Sequence, residues 1–295
     1  MFEFDVRDEK KLRIIVDTDA ACEADDPFAI TQAMLTPKFM VRGITAEHFV
    51  REGSVERSLA EVNRILEALN ITNVPAFLGE PGPMEEGREI SPAVRFIIEE
   101  AMREDCHPLT ILCLGAITNV AVAIRTCPEI ISRIHVIWIG TFGSEPAPVP
   151  FREFNAGNDI KAANLVLSSG VKLWLVPAPV YTTIHIGLAE IQSRIAPLGA
   201  IGRHLFDQMV AYNNSDEAAW TQGESWSLGD SPAVAIAMNP GCGHYFETVA
   251  PEILPDTSSA RKAGNPVIRE YKDVDSRFII EDLIAKLQIH VNTIQ

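Results

Sequence analysis

Short apolar segments alternate with amphipathic segments along roughly the first 180 residues of the chain. Continuous or β-branched apolar runs predict strands at 12–17, 39–45, 74–78, 109–114, 134–139 and 171–176. Apolar residues at helical spacing predict helices after Phe28, over 54–70, from Ser91, over 118–125 and over 159–169. Strands that alternate with helices predict an α/β fold, with an open, mainly parallel, Rossmann-like sheet flanked by helices.

The remainder of the chain has a less regular pattern. A long loop with three prolines is predicted over 141–158, and the last third, about 185–295, is expected to be more helical. No repeat or linker-like composition interrupts the sequence, so a single domain over 1–295 is expected. Ligands of such sheets bind beyond the carboxyl ends of the strands. The polar residues that follow each strand are therefore the candidates for chemistry.

Composition narrows the classes of partner. The chain has 295 residues, with 25 Lys and Arg against 40 Asp and Glu, which gives a formal net charge of −15. This charge argues against nucleic-acid and anionic-membrane partners, because both need a basic surface. The 47% of hydrophobic residues excludes a disordered chain. The surplus carboxylates leave one further possibility, a binding site for a hard cation.

The N-terminal segment and the cysteines bear on the compartment. The first residues lack the basic-then-apolar pattern of a signal peptide, and no uncharged run is long enough to span a bilayer. The five cysteines are scattered, without a C-x-x-C pair, which argues against a disulfide framework or a structural zinc site. We therefore expect a reduced, cytoplasmic protein.

An acidic loop follows the first predicted strand. Residues 17–26 carry five carboxylates between an apolar strand and an apolar helix. Unpaired, these groups would repel one another, and a divalent cation with oxygen ligands is the simplest partner for them. A helix start with acidic capping residues would account for Asp25 or Asp26. It does not account for Asp17 and Asp19, which lie at the end of a strand.

Three α/β families place aspartates after their first strand. Haloacid-dehalogenase-type phosphatases require Thr or Val where this chain has Ala21, and response-regulator receivers are far shorter. Inosine–uridine-preferring nucleoside hydrolases have the signature Asp-x-Asp-x-x-x-Asp-Asp. The acidic loop resembles it, with two extra residues between Asp19 and the pair Asp25-Asp26.

Three later segments match this family in the same order, so that the resemblance covers roughly residues 12–240. The segment 114–120 is similar to Gly-x-Leu-Thr-Asn, 153–155 reads Glu-Phe-Asn, and 229–235 resembles an Asp-Pro segment that opens a helix. Each segment alone also fits a local structure without a functional role, namely a capped helix start or a solvated loop. Taken together, they identify the chain as similar to the nucleoside hydrolases.

The resemblance implies hydrolysis of the N-glycosidic bond of a ribonucleoside to ribose and free base, through an oxocarbenium-like sugar. It implies that Asp19 takes a proton from water and also binds a metal ion. The other implied ligands are Asp26, the backbone carbonyl of Leu114, and Asp230. Ca²⁺ is favoured over Mg²⁺, because many carboxylate, carbonyl and hydroxyl oxygens suit seven- or eight-fold coordination. Relatives form dimers and tetramers, so a homo-oligomer is expected by analogy.

Five further residues are candidates for binding the nucleoside. The resemblance implies that Glu153 and Asn155 hold ribose hydroxyls, and Asp25 is a further candidate for this. His48 follows the second strand, where a polar side chain could reach the ribose. Trp226 could stack on the base.

The sequence departs from the family at three places, so alternatives remain. Gly229 stands where many members have a histidine that assists the leaving group, and residues 46–48 read Ala-Glu-His where the family often has Gly-Asn. The insertion leaves open which of Glu23, Asp25 and Asp26 contacts the metal. A Mg²⁺-dependent phosphohydrolase, or a ribose- or nucleoside-binding relative that has lost catalysis, are the alternative functions.

Overall fold

The computed structural model describes residues 2–49, 51–144 and 152–294. The strands of these residues are β1 Leu12–Thr18, β2 Phe39–Ala46, β3 Ala76–Phe77, β4 Leu109–Cys113, β5 Ile134–Ile139, β6 Lys172–Val176, β7 His185–Gly187, β8 Ser225–Ser227, β9 Tyr245–Val249, β10 Glu252–Ile253, β11 Ser259–Ala260 and β12 Val267–Tyr271. The α-helices are α1 Asp26–Met34, α2 Ser54–Ala68, α3 Pro92–Met102, α4 Thr118–Thr126, α5 Phe154–Asn158, α6 Ile160–Ser168, α7 Ala178–Tyr181, α8 Leu188–Glu190, α9 Gly199–Asn213, α10 Ser231–Met238 and α11 Ser276–Ile294. Short 3₁₀ turns lie at Asp8–Lys10, Pro128–Ser132 and Asp216–Ala218, and a π-helical turn at Ile191–Ile195.

Eight of the described strands form one sheet in the order β3-β2-β1-β4-β5-β6-β12-β9. All neighbours run parallel except β9, which is antiparallel to β12. Two small antiparallel pairs, β7–β8 and β10–β11, lie outside this sheet. The predicted α/β fold with a mainly parallel sheet is confirmed.

The core covers both faces of the sheet. Side chains alternate between the two faces of a strand, and in β1 the side chains of Ile14 and Val16 join one apolar cluster while Ile15 joins the other. Helices α1, α2, α10 and α11 supply apolar side chains to the first cluster, and α3, α4 and α6 supply them to the second. Burial on both faces explains why β1 is a continuous apolar run rather than an alternating one.

The last third differs from the prediction, because it adds β9 and β12 to the main sheet. Charged residues interrupt the apolar pattern of β12, so the sequence analysis did not predict this strand. The guanidinium of Arg269 lies over the rings of Trp174 and Tyr245, 4.2 and 3.7 Å from their centroids. The carboxylate of Glu270 accepts hydrogen bonds at 3.0 Å from the backbone N–H of Ser144. These partners come from distant segments, so the local pattern is not typical of a buried strand.

The predicted long loop over 141–158 also needs correction. Its end forms α5, because the buried carboxylate of Glu153 accepts hydrogen bonds from the backbone N–H groups of Asn155 and Ala156 and so caps the helix. Residues 145–151 of this loop lie outside the described part of the chain. Among the helices of the described residues, none is both long and apolar enough to cross a bilayer.

The topology brings the acidic loop to a reversal of strand order. The chain leaves β1 towards β2 on one side, whereas β4 pairs with the other side of β1. Helices α1 and α10 pack together nearby. A crevice at such a reversal, beyond the carboxyl ends of the strands, is where open α/β sheets bind ligands.

Candidate active site

Three buried aspartates meet where α1 and α10 begin. One carboxylate oxygen from each of Asp25, Asp26 and Asp230 lies within 4.8 Å of the others. Asp26 is the first residue of α1, and its carboxylate accepts a hydrogen bond from the hydroxyl of Thr18. Asp230 directly precedes α10. Sequence-distant carboxylates thus converge as the acidic loop and the Asp-Pro segment predict.

Burial and mutual repulsion leave these carboxyl groups with raised pKa values. Burial raises the pKa of Asp26 to about 6 even though Thr18 donates to it. Burial, and then the neighbouring charge of Asp26, raises the pKa of Asp19 well above its usual range. Burial followed by the charges of Asp25 and Asp26 does the same to the pKa of Asp230. The ionised forms of these carboxyl groups are therefore disfavoured in the protein alone, and a bound cation would stabilise them.

Asp19 lies against the end of β4. A Cβ atom at Gly115 would be only 2.2 Å from Oδ1 of Asp19, so glycine is the residue that lets the two segments approach. The backbone N–H of Leu114 donates to the carbonyl of Asp17 at 2.8 Å, which ties the end of β4 to β1. Asp19 and Leu114 both line the cleft that contains the three aspartates.

Asn155 contacts the same cleft from α5. Its side-chain amide donates to the carbonyl of Leu114 at 2.7 Å and to the carbonyl of Ile139 at 2.9 Å. The amide nitrogen therefore holds two strand ends in place, while its carbonyl oxygen is left for other contacts. The carbonyl of Leu114 has a second lone pair for a further partner.

Glu153 is completely buried beneath this segment. Besides capping α5, its Oε1 accepts a hydrogen bond from the hydroxyl of Tyr181 at 2.9 Å. Burial raises the pKa of this carboxyl group. Among the described residues that line the cleft, Asn155 and Tyr181 are present and Glu153 is not. The structure thus separates the two residues of the Glu-Phe-Asn segment.

His48 is also buried. Its Nε2 lies 2.9 Å from the hydroxyl oxygen of Thr118, which in turn donates to Asp159. Burial lowers the pKa of His48 to about 4, so the ring is neutral near pH 7. In the described part of the chain, His48 lines neither this cleft nor the larger cavity next to it.

The residues before His48 support the end of β1. Oδ1 of Asp17 accepts hydrogen bonds from the hydroxyl of Thr45 at 2.5 Å and from the amide of Asn119 at 2.9 Å. Burial, and then the charge of Asp17, raises the pKa of Glu47 well above its usual range, and Oε1 of Glu47 accepts a hydrogen bond from the backbone N–H of Asn119 at 2.8 Å. Asp17 thus fixes the end of β1, from which the acidic loop begins.

A larger cavity of about 640 Å³ adjoins the cleft. Both are lined by Glu23, Asp25, Phe154, Tyr181 and Gly229. The remaining wall combines aromatic, hydroxyl and amide side chains with one histidine and one arginine. These residues are Arg152, Thr182, His185, Trp220, Thr221, Gln222, Ser225, Trp226 and Ser227.

Among these wall residues, Trp226 is the one that the sequence analysis named as a candidate for binding the nucleoside. It lies in β8, and its ring packs edge-on against Tyr212 with centroids 5.3 Å apart. The sequence analysis missed Tyr181, His185 and Trp220. Tyr181 lies in α7 and His185 in β7, beyond the residues that directly follow β6, so the pattern of strands and polar residues did not indicate either.

The structure explains why a glycine precedes Asp230. A Cβ atom at Gly229 would lie 3.1 Å from Oδ2 of Asp25 and 3.2 Å from Cδ2 of Tyr181. These are tight contacts, so the aromatic ring of Tyr181 occupies space that a larger side chain at 229 would need.

Relatives with known names match nearly the whole chain. A ribonucleoside hydrolase of Salmonella gallinarum, named pyrimidine-specific RihA, is 24% identical over 95% of this chain and 99% of the relative. An uncharacterised protein of Schizosaccharomyces pombe, C1683.06c, is 26% identical over 86% of this chain and 84% of its own length.

Solved structures share the fold. A plant nucleoside hydrolase, PpNRh1, superposes with a TM-score of 0.77 at 18% identity, over 94% of this chain and 99% of the other. A purine-preferring ribonucleoside hydrolase from Gardnerella vaginalis gives a TM-score of 0.76 at 20% identity, over 95% and 99%. The sequence model of one family, described as inosine-uridine preferring nucleoside hydrolase, matches residues 14–282. With this match over most of its length, the chain belongs to the inosine-uridine preferring nucleoside hydrolase family.

Proposed function

We propose that this protein hydrolyses the N-glycosidic bond of ribonucleosides to ribose and free base, and that it needs a divalent cation to do so. The observation that carries the proposal is the convergence of buried carboxylates beside a cavity of about 640 Å³. Cavities of a few hundred Å³ are typical of small-molecule sites. The family match supports a nucleoside as the occupant.

The donor set fits Ca²⁺. The proposed ligands are the carboxylates of Asp19, Asp26 and Asp230 together with the carbonyl of Leu114, all of which are the hard oxygen donors that Ca²⁺ prefers. The raised pKa values of these aspartates support a bound cation, because a positive charge would stabilise their ionised forms. When bound, a divalent cation lowers the pKa of a water molecule and stabilises negative charge.

Residues of the cleft and of the adjoining cavity have separate roles in activating water and in binding the ribose and the base. Asp19 accepts the proton of the attacking water as general base. Asp25 belongs to the carboxylate cluster and also lines the larger cavity, where it accepts a hydrogen bond from a ribose hydroxyl. The carbonyl oxygen of Asn155 accepts another. Trp226 and Trp220, whose ring centroids are 5.5 Å apart, provide an aromatic wall for the base.

Two predicted substrate contacts receive a different role in this proposal. Glu153 acts through its hydrogen bonds to α5 and Tyr181, which position Asn155 and the ring of Tyr181. His48 acts through Thr118, at the start of α4. Direct contact of either side chain with ribose, the homo-oligomeric state, the single domain and the cytoplasmic location stay predictions.

The proposal is tested by an assay for free ribose. Purified protein is offered inosine, adenosine, guanosine, uridine and cytidine, each with Ca²⁺ and with a chelator. We expect ribose release that the chelator abolishes and that added Ca²⁺ restores. Tight nucleoside binding without release would instead support a catalytically inactive relative. Phosphate release from phosphate esters, with no ribose from any nucleoside, would support a phosphohydrolase.

Replacing Gly115 with alanine tests the approach of β4 to Asp19. The added methyl group would overlap Oδ1 of Asp19 and displace that carboxylate. Because misplacement of a catalytic group by about 1 Å costs on the order of 10²-fold, we expect kcat/KM for nucleosides to fall by about that factor. Gly82→Ala is the control, since a Cβ there meets no atom within 4 Å. Equal activity of the two variants would contradict the assigned position of Asp19.

A further inference from the structure

Departure of the base needs a proton that the carboxylate cluster does not supply. When the C1′–N bond breaks, both bonding electrons stay on the base, which leaves readily only if it is protonated or otherwise neutralised. Gly229 has no side chain to serve as the acid. The donor must therefore come from elsewhere in the larger cavity, where the base lies if the ribose lies at the carboxylates.

Glu23 and Asp25 of the acidic loop line both the cavity and the carboxylate cleft, and they are counted with the carboxylates. Most of the other polar groups of the cavity are poor proton donors near neutral pH. Burial and the charge of Glu153 raise the pKa of Tyr181 well above its usual range, and its hydroxyl already donates to Glu153. The guanidinium of Arg152 already donates hydrogen bonds to the carbonyls of Pro255 and Gly157. The serine, threonine and glutamine side chains of the wall are not acids in this range.

His185 is the one imidazole among the described residues that line the cavity. Histidine is the side chain that most often transfers protons in enzymes, because it changes charge near neutral pH. The side chain is exposed to the cavity, and its ring has no hydrogen-bond partner among the described residues of the protein. Both ring nitrogens are thus open to a ligand.

The antiparallel pair of β7 and β8 holds His185 beside the aromatic wall. His185 pairs with Ser227, and its neighbour Ile186 pairs with Trp226. The hydroxyl of Ser227 donates to the carbonyl of Tyr181 at 3.0 Å, and the backbone N–H of Leu228 donates to Ile184 at 2.9 Å. The imidazole therefore projects from a strand that is fixed to the segment leading to Asp230, rather than from a free loop.

We propose that His185 is the general acid that protonates the departing base, an inference that rests on the proposed nucleoside hydrolysis. The imidazolium gives one N–H proton to a ring nitrogen or carbonyl oxygen of the base as the C1′–N bond breaks. The oxygen of water bonds to C1′, and its proton goes to Asp19. Solvent then reprotonates His185 and takes the proton from Asp19, so the net reaction consumes one water molecule.

The leaving group provides the test. Wild type, His185→Ala and His185→Gln are assayed on inosine and uridine and on p-nitrophenyl β-D-ribofuranoside, whose p-nitrophenolate leaves without a proton. We expect both variants to lose about 10²- to 10⁴-fold in kcat/KM on the nucleosides, with little change on the p-nitrophenyl riboside. His244→Ala is the control, because His244 is exposed and pairs with Asp273. Circular dichroism melts verify that all variants fold.

The other outcomes overturn the inference in distinguishable ways. An equal loss on the nucleosides and on the p-nitrophenyl riboside would show that His185 binds the sugar or supports the pairing of β7 with β8. Nucleoside hydrolysis that survives in His185→Gln would show that a hydrogen-bond donor suffices and that no proton is transferred. A wild-type protein that hydrolyses none of the three substrates would remove the proposed function itself, and with it this role.

Discussion

Replacing Asp19 with asparagine is expected to lower kcat/KM for ribonucleosides by at least about 10³-fold. The amide cannot accept the proton of water, and removal of a general base alone costs on the order of 10²- to 10⁴-fold. Asparagine keeps the shape of the side chain, so the contact with Gly115 and the packing of the loop are retained. The loss should appear in kcat, because the proton transfer belongs to the chemical step.

The measurement separates the two roles proposed for Asp19. Ribose release is followed at saturating nucleoside while Ca²⁺ is titrated. A loss that high Ca²⁺ does not restore indicates the base, and a loss that it restores indicates only a ligand. Asp207→Asn is the matched control, because Asp207 is exposed and pairs with Arg203 on the surface of α9. Activity of Asp19→Asn equal to that of the control would eliminate the assigned base.

Replacing Asp230 with asparagine is expected to abolish stabilisation by Ca²⁺ while it stabilises the cation-free protein. A ligand at about 100 times its Kd stabilises the native state by about 2.7 kcal/mol. At about 2 °C per kcal/mol for a chain of this size, the wild type should gain about 5 °C in Tm. In the variant one ligand is lost, but the repulsion of Asp230 by Asp25 and Asp26 is also lost. Its Tm in chelator should therefore exceed that of the wild type.

The pH dependence of the cation-free protein has a defined sign. Burial raises the pKa of Asp26 to about 6 in the native state from an ordinary value of 3.8. The native state thus binds more protons than the unfolded chain between these values, and its stability rises as the pH falls through about 6. Asp230→Asn should show a smaller rise, since one buried charge is already gone. Thermal melts in chelator and in Ca²⁺, at pH 8 and pH 5.5, measure both effects. A wild type that Ca²⁺ does not stabilise at pH 8 would contradict the cation site.

Local patterns predicted the central fold and the edge of the sheet where the candidate site lies. The continuous apolar run of β1 reports burial on both faces, and the acidic residues that follow it mark the carboxyl edge of the sheet. The convergence of Asp26 with Asp230, about 200 residues apart, was also accessible, because both belong to segments that match one family in order.

Only the tertiary structure decided what the neighbouring side chains contact. The Glu-Phe-Asn segment gave no sign that Glu153 is sealed under α5 while Asn155 reaches the cleft. His48 was placed correctly after β2, yet it is buried against Thr118. Strand ends fix where a residue lies along the sheet, but a change of a few backbone angles decides whether its side chain faces the cavity or the core.

The sequence also did not predict the aromatic wall or the strands of the last third, whose contacts join residues far apart in sequence. The antiparallel pairing of β7 and β8 joins His185 to Ser227 across 42 residues, and Arg269 in β12 is stabilised by rings from β6 and β9. The sequence by itself determined the periodic elements and the chemistry of the acidic loop, because these depend on neighbours in the chain. Packing decided the cavity wall and the edge of the sheet, because their stabilising partners come from segments far apart in sequence.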